Sequence, residues 1–164
     1  MFSLQRTSYN RSLLLKILLI LLLTMGVWQG VEYTGHTTQE TLYEQALVTR
    51  VIDGDTFELS NGNKVRLLCV NAPEKGEPYA EEATVYLTER TLQHLIFLEK
   101  DETNKDKYGR LLRYVYDENT NLINTELVRL GLAEAKPYKP NTKHCDILEQ
   151  AQEEAQRERI GMWS

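Results

Sequence analysis

Three short polar motifs carry side chains able to do phosphate chemistry: V-I-D-G-D-T at 51–56, R-L-L-C-V-N-A-P-E at 66–74 and D-K-Y-G-R at 106–110. They supply Arg66, Glu74 and Arg110, with Asp53 and Asp55 just upstream. Hydrolysing a phosphodiester needs an activated water, charge relief on a five-coordinate phosphorus and help for the leaving oxygen. Arginine forks hold phosphate oxygens through paired, charge-assisted hydrogen bonds. Fixed cations aimed at developing negative charge can supply the largest catalytic contribution. A glutamate beside the phosphorus can take or orient the proton of the attacking water. Asp53 and Asp55 are hard oxygen donors suited to a divalent cation, which would polarise the phosphoryl oxygen. Each residue alone has an ordinary explanation. A strand arginine usually faces solvent, Asp-Gly is a common turn dipeptide, and Glu74 and Arg110 sit in turn chemistry. The chemical reading comes from the three together.

The surrounding pattern predicts the elements that hold them. Strands are expected over 46–53, 55–60 and 64–70, the last two joined by Asn61-Gly62 in a type I′ hairpin. Pro73 and Pro78 open a loop. Ala80, Ala83 and Leu87 fall at helical spacing within 79–93. Strands follow at 95–98 and 111–116. A short helix at 121–130 carries Leu122, Ile123, Leu127 and Leu130, with Gly131 closing it. A long polar helix runs from about Thr142, with an apolar stripe of Ile147, Leu148, Ala151 and Ala155. Three strands, a helix, two strands and two helices make an α+β arrangement, a small β-barrel with flanking helices. His36, His94 and His144 have no ligand spacing and read as structural or surface residues. The polar run 149–159 reads as a solvated helix face, and Trp163 as packing the C-terminus onto the core.

The chain has 164 residues, 41% hydrophobic and 26% charged, which fits one domain with an additional segment. Its net charge is −5, and without residues 1–40 the remainder is more acidic still. That balance disfavours strong non-specific duplex binding, which needs cations against phosphate, but leaves room for a local cationic site. Residues 13–28 read L-L-L-K-I-L-L-I-L-L-L-T-M-G-V-W, behind Arg6 and Arg11. A basic start followed by an apolar run marks 1–30 as a signal peptide or an uncleaved signal anchor, with Thr24-Met25-Gly26 a weak cleavage candidate. Lys16 and Trp28 could then sit at the two membrane interfaces. Residues 31–44 read as a polar linker and 45–164 as the folded domain. Either reading of the first segment puts that domain outside the cytoplasmic membrane, extracellular or at the cell surface.

The motifs above, with E-L-V-R-L-G-L-A at 126–133 and the tail P-Y-K-P-N-T…M-W-S, occur in an order and spacing that resemble the staphylococcal nuclease (thermonuclease) family. The resemblance spans about 45–164. It implies a five-stranded OB-like β-barrel with three flanking helices. It implies a metal-assisted nuclease, monomeric, hydrolysing DNA and RNA with low sequence specificity and leaving 3′-phosphate ends. By resemblance Arg66 and Arg110 clamp phosphate and Glu74 is the general base. Asp55 and the Ala72 carbonyl would bind one Ca²⁺, with Asp53 beside it. Tyr108 and Tyr138 would line the nucleotide pocket. Two positions depart from the pattern. Asn71 stands where a second calcium-binding aspartate is expected. An amide oxygen still coordinates a hard cation but adds no charge, so the site could take calcium weakly or another divalent metal. Lys136 replaces a pocket tyrosine, exchanging a stacking surface for a cation. The loop after Glu74 also looks shortened.

The two cysteines, Cys69 and Cys145, form an isolated pair in a chain expected to be exported, a setting that favours a disulfide. In the family's fold the elements carrying them lie close, so the resemblance implies a Cys69–Cys145 bridge; two separate buried thiols are the alternative. A second functional reading is a non-catalytic OB-like module that binds single-stranded nucleic acid or a protein, for which loss of one member of the Arg66–Glu74–Arg110 set would be expected. A third keeps the nuclease and changes the metal.

Overall fold

The computed structural model describes residues 43–164. The apolar run, its flanking arginines and His36 lie outside the described residues. Seven strands and three helices follow in the order β1 (Tyr43–Asp53), β2 (Thr56–Leu59), β3 (Lys64–Leu67), β4 (Val70–Asn71), α1 (Ala80–Thr91), β5 (Leu95–Lys105), β6 (Leu111–Tyr116), α2 (Ile123–Arg129), β7 (Glu134–Ala135) and α3 (Cys145–Glu158). A single 3₁₀ turn, Gly161–Trp163, ends the chain.

Five strands close a barrel in the order β1-β2-β3-β6-β5, while β4 and β7 form a separate two-stranded ladder. The expected five-stranded barrel with three helices is therefore present. β1 serves two neighbours. Tyr43–Leu47 pairs with β5, and Val48–Asp53 pairs with β2. Register shifts between Val48 and Arg50 and between Val51 and Asp53 bend the strand from one partner to the next, as bulges do. Not all pairing is antiparallel: β3 meets β6 in parallel, with Arg66 opposite Leu112. β1 also starts at Tyr43, ahead of the expected boundary at 45, because Tyr43 pairs with Glu99 and its ring meets Tyr116 edge-on at 5.2 Å.

The hairpin between β2 and β3 corrects the type I′ expectation. The Leu59 N–H donates to the Asn63 carbonyl, so the loop has three residues, and the Gly62 N–H donates to the Leu59 carbonyl. Gly62 has φ +81° whereas Asn61 is not left-handed, and type I′ needs positive φ at both central residues. The Asn61 side chain instead accepts from the Asn63 N–H.

In the core, Val48, Phe57, Val65, Ile96, Tyr114 and Val115 are fully buried. α1 buries Ala80, Ala83, Leu87 and Thr91, continuing the stripe expected of it. α2 buries Ile123, Asn124, Leu127 and Val128. α3 begins at Cys145 rather than Thr142 and buries Leu148, Ala151 and Ala155; Ile147 falls off that stripe and is 40% exposed. Cys69 and Cys145 are joined in a disulfide, Cα to Cα 5.5 Å, which ties the β3–β4 connection to the start of α3. The Tyr114 hydroxyl lies 3.3 Å from Cys69 Sγ and accepts from the His144 N–H.

One buried carboxylate is held by a polar cluster. Glu99 accepts from the Tyr116 hydroxyl at 2.7 Å, pairs with Lys143 and lies 2.9 Å from His144 Nε2. Burial pushes the Glu99 carboxyl up, but the bonds from Lys143, Tyr116 and His144 outweigh it and hold it below its ordinary value of 4.5. His144 is thus a structural residue, and His94 is exposed.

Candidate active site

The turn between β1 and β2 places the two aspartates. The Asp53 side chain accepts from the Asp55 N–H at 3.1 Å, which fixes the turn. Between them Gly54 lies against α1 and the residue that follows β4. A Cβ there would stand 2.6 Å from Ala83 Cβ and 2.7 Å from Ala72 Cβ, closer than atoms approach. Glycine is needed here for close approach, not for an unusual φ.

Asp55 is 8% exposed and is the hub of the site. Its Oδ2 accepts from the Ala72 N–H at 3.0 Å and pairs with Arg66 Nη2 at 2.9 Å; its Oδ1 accepts from the Thr56 hydroxyl. Burial raises its pKa to about 6, against the pull of Arg66 and with a further push from Asp53. Arg66 shows the reciprocal effect. Burial lowers its pKa, Asp55 opposes this, and the nearby Arg110 cation adds to the lowering.

Arg66 extends from β3, and its Nη1 donates to the carbonyls of Leu67 and Val70. A guanidinium has five N–H donors. Two, both on Nη1, are spent on those carbonyls, and Nη2 forms the ion pair with Asp55. Nε–H has no hydrogen-bond partner among the described residues. Arg110 is held differently. Its Nε pairs with Asp106 Oδ2 at 2.6 Å, and the Asp106 Oδ1 accepts from the N–H groups of both Tyr108 and Arg110. The terminal Nη groups of Arg110 carry no hydrogen bond among the described residues. Its Cζ lies 5.5 Å from the Tyr108 ring centroid. Tyr108 and Tyr138 are 72% and 63% exposed, and Tyr138 lies in the neighbourhood of Arg66.

Glu74 lies two residues past Ala72, exposed on the turn before α1. No ion pair joins it to Arg66 or Arg110, and among the described residues its carboxylate has no hydrogen-bond partner. Asn71 pairs with Glu134 across the β4–β7 ladder and borders a concavity of about 500 Å³ that Glu77, Tyr79 and Trp163 also line. Lys136 is exposed, and its N–H donates to the Cys69 carbonyl. The structure thus joins Asp53, Asp55, Arg66 and Ala72 directly and brings Arg110 and Tyr138 into the neighbourhood of Arg66. Glu74, Asn71 and Lys136 stand at the margin.

Asp53, Asp55, the Asn71 amide and the Ala72 carbonyl are all hard oxygen donors, a set that fits a divalent cation of the calcium or magnesium type. Asp55 Oδ1 accepts only one hydrogen bond and retains a lone pair for an ion. The charge count is low, since among the described residues no three Asp, Glu, His or Cys side chains gather as a metal-binding group.

Sequence reasoning gave no role to Asp106, Gly54 or Glu77. Asp106 was visible as an aspartate four residues before Arg110 in a turn with Gly109. The close packing of Gly54 leaves no local signal in the sequence, since Ala72 and Ala83 are distant from it along the chain.

A family model described as "Staphylococcal nuclease homologue" matches residues 64–164. The chain is 40% identical over 131 residues to a thermonuclease of Staphylococcus intermedius, covering 73% of this chain and 76% of that protein. It is 37% identical over 126 residues to a thermonuclease of Staphylococcus hyicus, covering 71% and 74%. It is 36% identical over 142 residues to the endonuclease YncB of Bacillus subtilis strain 168, covering 80% and 67%.

Proposed function

This chain belongs to the staphylococcal nuclease family, and from that premise we propose that it is a nuclease that hydrolyses DNA and RNA phosphodiesters with metal assistance. The observation that carries the reading is the pair of arginines, each anchored by an aspartate and each with N–H donors left without a partner among the described residues. Arg66 keeps its Nε–H, and Arg110 its Nη groups, clear of hydrogen bonds among the described residues. Anchored guanidinium groups need little reorganisation as negative charge grows on the phosphate. They address backbone phosphate, which carries no sequence information, so low sequence specificity follows.

In this mechanism Arg66 and Arg110 hold the non-bridging oxygens and neutralise the developing charge. Glu74, free of other partners, takes the proton of the attacking water. Tyr108 and Tyr138 offer exposed ring faces to the nucleotide, and Lys136 offers a cation beside them. Asp55, Asp53, Asn71 and the Ala72 carbonyl would hold one divalent cation, calcium or a smaller relative. When bound, that ion supplies Lewis-acid polarisation of the phosphoryl oxygen.

The setting we propose is extracellular or cell-surface, the protein acting as a monomer and secreted or anchored through residues 1–30. The apolar run behind two arginines supports export, and so does the Cys69–Cys145 disulfide, a bond that persists in oxidising compartments. Among the described residues no helix is long and apolar enough to cross a membrane.

The test is cleavage of single- and double-stranded DNA and of RNA by the purified chain with Ca²⁺, Mg²⁺, Mn²⁺ or chelator. Activity is expected with at least one ion and not with chelator. Arg66→Ala and Arg110→Ala should each lower kcat/KM by about 10²-fold or more, the scale seen when one preorganised donor is lost. Binding of single strands without cleavage under any ion would replace the reading with that of a non-catalytic module.

A further inference from the structure

Glu74 has a free carboxylate, yet a general base must be held within hydrogen-bond reach of its water. What fixes it is therefore its backbone. The Glu74 N–H donates to Glu77 Oε2 at 2.7 Å, and the Glu77 N–H donates back to the Glu74 carbonyl at 2.9 Å. These reciprocal bonds close the segment 74–77 into a small ring. Gly76 at φ +95° allows the ring to turn. Pro73 brackets it on one side, and Pro78 on the other biases Glu77 towards an extended backbone.

The ring is bolted to a helix. The Glu77 carbonyl accepts from the Ala80 N–H at the first residue of α1. Three residues on, Ala83 packs against Gly54, the glycine between Asp53 and Asp55. A continuous path of contacts thus runs from the Glu74 backbone through Glu77 and α1 to the two aspartates.

We propose that Glu77 is a positioning residue, whose carboxylate holds the Glu74 backbone so that the Glu74 side chain addresses the scissile phosphate. An ionised acceptor makes a stronger bond to an N–H than a neutral one does. The proposal rests on the reading of Glu74 as the base.

The experiment is a double-mutant cycle on steady-state cleavage of a DNA oligonucleotide by the full chain. Glu77→Ala should lower kcat about tenfold with KM within twofold, since misplacing a reacting group costs rate before binding. Glu77→Gln keeps an oxygen acceptor at the same reach and should recover kcat to within about threefold of the unmodified chain. Glu77→Asp withdraws the carboxylate by one methylene and should resemble Glu77→Ala; it serves as the second variant if alanine compromises folding. In a Glu74→Gln background, Glu77→Ala should cause no further loss, because a positioning residue has nothing left to position. Full additivity with Glu74→Gln, or a rise in KM at unchanged kcat, would overturn the role of Glu77 alone. A Glu74→Gln variant with unchanged kcat would instead overturn the base assignment, so the two failures are distinguishable.

Discussion

Asp55 connects the electrostatics of the site to its chemistry. Burial raises its pKa to about 6, above the ordinary 3.8. A raised carboxyl pKa means that folding favours the protonated form. The associated stability is fully present below about pH 4 and is lost as pH rises through 6. The proton and a divalent cation compete for the same carboxylate. Cation affinity should therefore climb between pH 5 and pH 7 and level off above, as read by calorimetric titration. Asn71→Asp adds a charged donor beside Ala72 and should tighten calcium binding about tenfold or more in the same titration, because ligand charge sets the affinity of hard-cation sites. Unchanged affinity would remove Asn71 from the ion's surroundings. The chemical residues were legible because charge and spacing are local properties of a sequence. Their restraints were less so. Asp106 could be seen from its turn, but the bond from Glu77 to the Glu74 backbone depends on where Pro78 sends the chain.

At the level of elements, α1 is the part that fixes the turn between β1 and β2. Its alanine stripe was readable from the spacing of Ala80, Ala83 and Leu87, and the structure adds Thr91 to it. What the spacing could not show is that Ala83 and Ala72 close on Gly54 from two directions. Gly54→Ala should destabilise the fold by about 1–3 kcal/mol, the usual cost of overpacking a dense site. It should also lower activity more than stability alone explains, since the added methyl must push Asp53 and Asp55 apart from α1. Thermal melts and kcat/KM on the same preparation check this, and an active variant of unchanged Tm would refute it. The strand boundaries followed a similar logic. The pattern located β2 and β6, but the strand expected over 64–70 ends at Leu67, where the chain turns through Cys69 at φ +57° before β4, and β5 runs on to Lys105 through polar residues that no apolar pattern marks. The hairpin turn departs from type I′ because Asn-Gly suits both two- and three-residue loops, and the register of the flanking strands decides between them. The α3 stripe was legible except at Ile147, which lies off the face that Leu148, Ala151 and Ala155 share.

For the whole molecule, acid sensitivity should centre on Glu99. Its carboxyl is held below the ordinary 4.5, so its contribution is present above that value and lost as pH falls through the lower folded value. Tm should drop on acidification below about pH 4.5, and Glu99→Gln should flatten that limb while lowering Tm at pH 7. A variant with an unaltered acid limb would assign the effect to other carboxylates. The architecture was foreseeable as a small barrel with helices, but not the parallel join between β3 and β6, which depends on strands far apart in the sequence. That join has a consequence for when the protein becomes dangerous. Arg66 belongs to one side of it and Arg110 immediately precedes the other, so the two cations meet only when the barrel closes. Bringing such distant segments together is a slow, non-local step in folding. If the chain leaves the cell unfolded, it travels as a harmless polymer past the host's own chromosome and messages. Closure of one seam then arms it on the far side.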